Sequence, residues 1–296
     1  MLQVHRQVDL RQPVLLCAFT GWSDAGSGAS GALSYLLMKW PGHQLASFDP
    51  EAIYNYTVTR PVVRFRRSGP RELQWPALTW TGIPLPDAEH DLLVLLGPEP
   101  DLRWQAAARE VGELARQWGV QRVLALGSFY APVAHTAPVP LVGTSADPEL
   151  RDALRGMGLN ETRYQGPTGF LTAVLHAARQ RGLRGAGIWG VAPNYLPGMV
   201  NPKVSAALLA LVERLLRVDL RRGELEVTAR DLELRIEEAL RERPDLREFV
   251  EKLQRGESQA EEATPAEEPE ELPSAEAVLK DLEQYLQQLR GPEDEP

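Results

Sequence analysis

Four short apolar runs along the chain predict buried strands of a parallel sheet. They are Val14–Phe19, Asp91–Leu96, Arg122–Leu126 and Gly187–Ala192, and each is rich in Val, Leu and Ile without alternation of apolar and polar residues. Continuous apolar runs of this kind are typical of strands that are covered on both faces. The pattern therefore indicates an α/β protein.

Stretches with helical spacing lie between these runs and predict crossover helices. Apolar residues recur every three or four positions over Trp104–Trp118, and Gly119 ends that helix. A second helix is predicted between Pro167 and Gly182, with proline at its first position, and a third begins at Asn201-Pro202. Strands that alternate with helices predict right-handed crossovers and a three-layer α/β/α sandwich.

The stretch from Gln44 to Pro86 has a different pattern. It contains β-branched and aromatic residues, frequent prolines and no helical period. These features predict additional strands, Gln44–Phe48 and Val62–Arg66 among them, with antiparallel or edge character.

A charged helical extension is predicted after Asp219. A narrow apolar stripe runs along it, Pro244 interrupts the stripe, and the stripe then resumes. Its apolar residues are Leu225, Ala229, Leu232, Ile236 and Ala239 before the proline, and Leu246, Val250 and Leu253 after it. We therefore predict an α/β/α core over residues 1–222 and a helical extension over residues 223–255.

The remainder of the chain is acidic. Residues 256–273 are rich in Glu, Pro and Ala, which predicts a disordered linker. Ser274 is placed to cap a last amphipathic helix over residues 274–290. One such helix cannot bury its apolar stripe alone, so it requires a surface on its own core, on a sister subunit or on another partner.

Charge and composition narrow the class of protein. Residues 257–296 hold 13 Asp or Glu and 2 Lys or Arg, a net charge of −11, whereas the whole chain carries −9, so residues 1–256 carry about +2. A nearly neutral core argues against general binding of nucleic acid. With no long apolar span, no apolar leader and a single cysteine, Cys17, we expect a cytoplasmic protein without a membrane partner.

Four glycine-rich or polar segments follow the predicted strands. They are Thr20–Gly31, Gly97–Trp104, Gly127–Pro138 and Val191–Pro197. Because the carboxyl ends of parallel strands meet at one edge of a sheet, we expect these segments to gather there, where open α/β sheets bind ligands.

The first of these segments allows two interpretations. The glycines of Gly26–Gly31 match the spacing of a dinucleotide fingerprint, and Asp49 follows the next strand, but too many residues separate the first strand from the first glycine. The helix start could bind an anion through its backbone N–H groups. Alternatively, the glycines allow the helix to pack tightly on the sheet, with Ser23 or Asp24 as its N-cap.

The candidate site residues come from all four segments. Glu99 and His135 are the candidates for a general acid or base. Ser128 lacks the Gly-x-Ser-x-Gly context of a hydrolase nucleophile. No metal-site spacing occurs and no cofactor is predicted. The residues that we predict to line a ligand site are Asp24, Gly26, Gly28, Glu99, Ser128, His135, Asn194 and Tyr195.

Short motifs in the same segments resemble those of the proteasome assembly chaperone 2 family, in its bacterial and archaeal branch. They occur in the order that the family has and span roughly residues 13–255. The motifs are FTGWSDAG at 19–26, GPEPDLRW at 97–104, HTAPV at 135–139, YQGPTG at 164–169 and PNY at 193–195. The resemblance implies a phosphorylase/hydrolase-like α/β/α core with a helical extension, homo-oligomers with trimers among them, and little chemistry, since eukaryotic relatives are non-catalytic chaperones that bind proteasome α-subunits.

Three positions depart from the pattern of the family. Ala137 stands where members usually have arginine, and Asn194 stands where they usually have histidine. The chain ends in Pro292–Pro296, whereas the members that dock on the proteasome end in a hydrophobic residue, a tyrosine and one further residue. We therefore do not expect chemistry that requires this arginine or this histidine. We also do not expect docking through the tail motif.

Two functions remain open from the sequence. The first is a non-enzymatic protein that binds or assembles other proteins, with an unknown protein partner. The second is an enzyme or small-ligand binder, of the nucleoside or phosphate hydrolase or phosphorylase kind, that uses the carboxyl edge of the sheet.

Overall fold

The computed structural model of the protein describes residues 1–65, 71–162 and 164–254. The predicted linker over residues 256–273 and the predicted helix over residues 274–290 lie outside these described residues.

In the described part of the chain, the strands and helices predicted from the apolar runs follow one another in the predicted order. The strands are β1 Leu2–Val4, β2 Val14–Thr20, β3 His43–Phe48, β4 Val62–Arg64, β5 Glu72–Gln74, β6 Thr79–Ile83, β7 Leu92–Pro98, β8 Arg122–Ala131, β9 Leu141–Ser145, β10 Asn160–Glu161 and β11 Arg184–Pro193. The helices are α1 Gly28–Lys39, α2 Pro50–Ile53, α3 Trp104–Gln117, α4 Pro148–Gly156, α5 Phe170–Gln180, α6 Pro202–Leu216, α7 Gly223–Arg241 and α8 Pro244–Gln254.

One large sheet forms the middle of the fold. Within the described residues its strand order is β1-β3-β6-β7-β2-β8-β11-β9-β10. The four predicted strands, β7, β2, β8 and β11, are adjacent and parallel, which confirms the sequence prediction. Strands β3 and β6 extend this centre in antiparallel pairing, as predicted for the stretch after Gln44.

Two hydrophobic cores cover the two faces of the sheet and confirm the three-layer α/β/α sandwich. Helices α1, α4 and α6 pack on one face, where Leu33, Leu154 and Leu208 are buried. Helices α3 and α5 pack on the other face, where Val111 and Phe170 are buried. Burial on both faces explains why the central strands show no polar alternation.

Three predicted element bounds need correction. Strand β8 continues to Ala131 because it pairs with β11 along its whole length, so Ser128 lies within a strand and not in a loop. Helix α5 begins at Phe170 and not at Pro167, because a glutamate side chain accepts the first helical N–H. The predicted strand Val62–Arg66 is observed over Val62–Arg64, and within the described residues it pairs only with β5, in a separate two-stranded hairpin.

The predicted helical extension consists of α7 and α8, which begins at Pro244. Leu225, Ala229 and Ile236 of α7 are buried, and α7 packs on α6. Val250 of α8 joins a small hydrophobic cluster with Ile236. The extension therefore lies against the core through the apolar stripe that its sequence predicts. Each helix in the described residues is too short or too polar to cross a membrane.

Candidate functional site

The start of α1 is held by a carboxylate of its own chain. Oδ1 of Asp24 accepts hydrogen bonds from the backbone N–H groups of Ala29 and Ser30, both at 3.0 Å, and Oδ2 accepts one from the Ser30 hydroxyl at 2.5 Å. Burial raises the pKa of the Asp24 carboxyl, and these three donors oppose the shift. The N-cap position of α1 is Ser27, not the predicted Ser23 or Asp24, but the Asp24 side chain reaches the helix start and acts as its cap. Because Asp24 occupies N–H groups that would bind an anion, the contacts do not favour an anion site here.

The glycines of the same segment allow close packing against α6. A Cβ atom at Gly28 would lie 2.5 Å from Cγ1 of Val204, and one at Gly31 would lie 2.9 Å from the Ser205 hydroxyl. Gly26 has a φ of 58°, in the left-handed region that favours glycine. The glycines therefore serve packing, as one interpretation predicted, but much of that packing is against a helix and not only against the sheet.

Ser128 uses its polar groups to hold the turn after β2. Its N–H donates to the carbonyl oxygen of Ser23 at 2.8 Å, and its buried hydroxyl donates to the carbonyl oxygen of Ala25 at 2.8 Å. A hydroxyl whose hydrogen is bonded to a carbonyl oxygen lacks the general base that a nucleophile requires.

Glu99 caps the start of α5. Its Oε1 accepts the backbone N–H of Phe170 at 2.5 Å. Burial raises the pKa of this carboxyl, and the Phe170 N–H opposes that shift. The side chain also lies near Ser23, since a Cβ atom at Gly169 would approach Oε1 of Glu99 and the Ser23 hydroxyl. Glu99 thus connects β7 to α5 at the carboxyl edge.

His135 and Tyr195 form a second polar group at this edge. The Tyr195 hydroxyl lies 2.7 Å from the backbone N of His135, whose N–H it accepts, and 2.8 Å from Nδ1 of the same residue. The hydroxyl hydrogen is then available to Nδ1, which favours the tautomer with its proton on Nε2. Burial lowers the pKa of His135 and raises that of Tyr195 to about 12.

Two carboxylates of α7 reach this group from the extension. Oε1 of Glu237 lies 3.1 Å from Nε2 of His135, close enough for an ion pair but poorly aligned for a hydrogen bond. Glu233 pairs with Lys203 of α6, and Nζ of Lys203 also donates to the His135 carbonyl oxygen at 2.5 Å. These contacts join α7 to the core above the ends of β8 and β11.

A narrow crevice remains beneath α7. Its volume is about 10 Å³, room for roughly one water molecule. His135, Ala137, Lys203 and Ile236 are among its lining residues. The predicted carboxyl-edge pocket is therefore nearly filled by the extension. Ala137 borders this crevice, at the position where members of the family that the motifs resemble usually have arginine.

The structure places the predicted site residues in two neighbouring groups. Of these residues, His135 alone borders the crevice. Asn201 lies between the groups, because its N–H donates to the Gly26 carbonyl oxygen and its side chain borders the crevice. The first group contains Asp24, Gly26, Gly28, Glu99 and Ser128, and the second contains His135, Asn194 and Tyr195.

Three charged residues that lie beside the second group were not predicted from the sequence. They are Lys203, Glu233 and Glu237. The available signal was the pair of glutamates four residues apart, beside the apolar stripe of α7. Within the described residues, no three His, Cys, Asp or Glu side chains are grouped so as to hold a metal ion.

Comparison with known proteins gives a consistent result. The PAC2 family model matches residues 18–240 of the chain. A PAC2 family protein from Streptomyces avermitilis is 34% identical, with a TM-score of 0.69, and the match covers 76% of this chain and 95% of that one. No curated protein matches the chain.

Two further solved structures are similar. A proteasome-assembly chaperone homologue from Mycobacterium tuberculosis is 35% identical, with a TM-score of 0.72, over 80% of this chain and 99% of that one. An archaeal proteasome activator from Pyrococcus furiosus is 15% identical, with a TM-score of 0.63, and the match covers 81% of this chain and 98% of that one. At that identity the second likeness concerns the fold alone.

Proposed function

Because the chain belongs to the PAC2 family, we propose that it is a non-enzymatic protein that binds other proteins and assists their assembly. The observation that carries this proposal is the state of the carboxyl edge. Asp24, Ser128 and Glu99 are engaged in holding backbone segments, and the crevice beside His135 has room for about one water molecule.

Exposed apolar side chains on the same edge supply a surface for a protein partner. Trp22 follows β2 and is 57% exposed, Leu102 follows β7 and is 45% exposed, and Val200 precedes α6 and is 63% exposed. Exposed apolar side chains that lie together mark interaction sites, and tryptophan is one of the residues that dominate the energetics of protein interfaces. We define Trp22, Leu102 and Val200 as the rim residues.

The relatives support a partner connected with the proteasome. The 35% identical Mycobacterium tuberculosis protein is described as a proteasome-assembly chaperone homologue. Proteasome subunits are therefore the first candidates to be tested, with the rim residues as the proposed contact. Self-association into a homo-oligomer, with a trimer as the state that the resemblance implies, belongs to the same proposal.

Affinity capture with chemical cross-linking, followed by binding of the purified partner, tests the proposal. We expect the full chain to capture a protein other than itself, and the Trp22→Ser/Leu102→Ser double variant to bind it at least ten-fold more weakly. Met38→Ser is the matched control, because Met38 is 80% exposed but lies at the far end of α1. The same capture without residues 256–296 tests whether the tail contributes. Capture of only its own copies, with and without the tail, contradicts the proposal.

A second candidate function, binding of a small ligand, is favoured by one observation. Among the residues that the structure describes, Nε2 of His135 and Oδ1 of Asn194 find no hydrogen-bond partner of good geometry, and both atoms are buried. Nε2 of His135 faces Glu237 of α7, so this atom becomes available to a ligand if α7 moves aside. A thermal-shift screen with inorganic phosphate, nucleosides and nucleotides tests this candidate, since a ligand at 100 times its Kd stabilises by about 2.7 kcal/mol. Unchanged melting temperatures across the screen count against it.

A further inference from the structure

The hairpin formed by β4 and β5 is an exposed apolar arm. All residues of both strands are exposed, and the hairpin pairs with no other strand in the described residues. An isolated two-stranded hairpin is only marginally stable in water. Its large apolar side chains are Val62, Val63, Phe65, Leu73 and Trp75, with exposed fractions of 55%, 53%, 75%, 51% and 47%. A cluster of this kind marks a contact surface.

The arm is also basic. The described residues in the range 57–75 contain three arginines, Arg60, Arg64 and Arg71, and one glutamate, a net charge of +2. The guanidinium of Arg71 lies 4.9 Å from the centre of the Phe65 ring, and Nε of Arg64 donates to Gln74 at 2.6 Å. Arginine combined with aromatic side chains is the composition of interface hot spots. The occupant of this surface should therefore be acidic and apolar.

The C-terminal segment of the same chain has this chemistry. Residues 257–296 carry a net charge of −11, with seven glutamates and no basic residue in residues 257–273. The following residues, 274–290, place apolar side chains at helical spacing. Those apolar residues are Val278, Leu279, Leu282, Tyr285, Leu286 and Leu289. The segment thus offers carboxylates for the arginines and an apolar stripe for the exposed side chains.

The geometry places the arm within reach of this segment. The carboxylate of Asp101, which follows β7, accepts hydrogen bonds from the backbone N–H of Asn55 at 2.8 Å and from the Thr59 hydroxyl at 3.1 Å. These bonds attach the segment that leads into β4 to the carboxyl edge. Helix α8 lies against Tyr195 at the same edge, after β11. Strands β7 and β11 are three strand spacings apart, ~14 Å. A linker of ~19 residues with the disorder that the sequence predicts for residues 256–273 would have a root-mean-square span of roughly 24 Å.

We propose that the acidic C-terminal segment, residues 257–290, docks on the β4–β5 arm of its own chain. Its glutamates face the arginines of the arm, and its apolar stripe covers the exposed apolar side chains. Attachment through a short linker favours the same chain over a second copy, because it raises the effective concentration to the millimolar range. This proposal does not depend on the proposed function.

Hydrogen–deuterium exchange on the full chain tests the proposal through a charge swap. Arg60→Glu/Arg64→Glu/Arg71→Glu should speed amide exchange in residues 274–290 at least ten-fold, because it repels the segment. Glu261→Arg/Glu262→Arg/Glu267→Arg should speed exchange in the arm. Combining the two triple variants should restore protection in both places, which a loss of folding could not do.

A matched control and two contrary outcomes complete the test. Arg109→Glu/Arg116→Glu/Arg179→Glu changes the charge equally on exposed positions of α3 and α5, and should leave exchange in residues 274–290 unchanged. Equal loss of protection in this control, or failure of the combined variant to restore it, overturns the proposal. Protection that appears only with dimerisation, or that requires anionic lipid vesicles, assigns the arm to another occupant and overturns it as well.

Discussion

Asp24, Ser128 and Glu99 each use their polar atoms to hold the backbone of a neighbouring segment. Asp24 caps α1, Ser128 holds the turn before it, and Glu99 caps α5. Buried polar groups require such partners, since an unpaired buried donor costs about 1–3 kcal/mol. At the residue scale the carboxyl edge is therefore organised mainly for structure, and among its described residues His135 and Asn194 each have a buried polar atom without a hydrogen-bond partner.

His135 makes stability depend on pH. Burial lowers the pKa of His135 in the folded chain below the unfolded value of about 6.5. At a pH between these two pKa values, the unfolded chain binds a proton that the folded chain does not. We expect the contribution of His135 to be complete above pH ~6.5 and to be lost as pH falls through the folded pKa. The groups that face the ring are Glu237, Tyr195, Lys203 and Glu233.

Urea unfolding between pH 7.5 and 5.5 checks this expectation. The free energy of unfolding should fall less steeply toward low pH in His135→Gln than in the unchanged protein. His176→Gln, at an exposed position on α5, is the control and should leave the slope unchanged. Identical slopes for all three proteins would rule out a titrating role for His135.

Close contact between α1 and α6 is the main feature at the scale of elements. Gly28 faces Val204, Gly31 faces Ser205, and the Ser205 hydroxyl donates to the Gly28 carbonyl oxygen at 2.7 Å. Two helices that approach so closely leave no space for a side chain at the contact. The glycine spacing that resembles a nucleotide fingerprint therefore has a packing explanation.

A methyl group at Gly28 should disrupt this contact. Gly28→Ala would place Cβ 2.5 Å from Val204 and 3.1 Å from the Ser128 hydroxyl, and overpacking of this kind costs about 1–3 kcal/mol. Gly156→Ala is the matched control, because a Cβ atom there meets nothing within 4 Å and α4 already has helical geometry. Chemical denaturation should show a loss for Gly28→Ala alone; an equal effect in both variants would refute the packing explanation.

The attachment of the extension to the core is the main feature at the scale of the whole molecule. Helix α7 closes the carboxyl edge through its apolar stripe and through the contacts of Glu233 and Glu237 with Lys203 and His135. These contacts decide whether the crevice is open, and thus whether a small ligand could enter. The proposed division into a core, residues 1–222, and an extension, residues 223–255, can be tested through the same attachment.

Truncation of one apolar side chain should loosen this attachment. Ile236 is 5% exposed, so Ile236→Ala should cost about 2 kcal/mol and speed amide exchange in α7 and α8 more than in the central strands. Leu234→Ala is the control on the same helix, since Leu234 is 69% exposed. Uniform acceleration across the sheet and the extension would mean that the extension unfolds together with the core.

The four central strands, the major helices and the broken extension could be predicted because their apolar spacing is local information. Other elements could not. Strands β9 and β10 are short, and their place in the sheet depends on pairing with β11 and with each other. The start of α5 depends on Glu99, which is 71 residues away in sequence. Such long-range partners leave no periodic signal in the chain.

The sequence by itself determined the α/β alternation, the parallel centre of the sheet, the polar segments at its carboxyl edge and the charge difference between core and tail. Each of these follows from residue type and spacing, which act on near neighbours. The tertiary structure alone decided that Asp24 and Glu99 are helix caps, that α7 fills the predicted pocket and that the β4–β5 arm stands exposed. These three features depend on contacts between segments that are far apart in the sequence. The same polar side chain can bind a ligand or hold the backbone, and the residue that packs against it decides which.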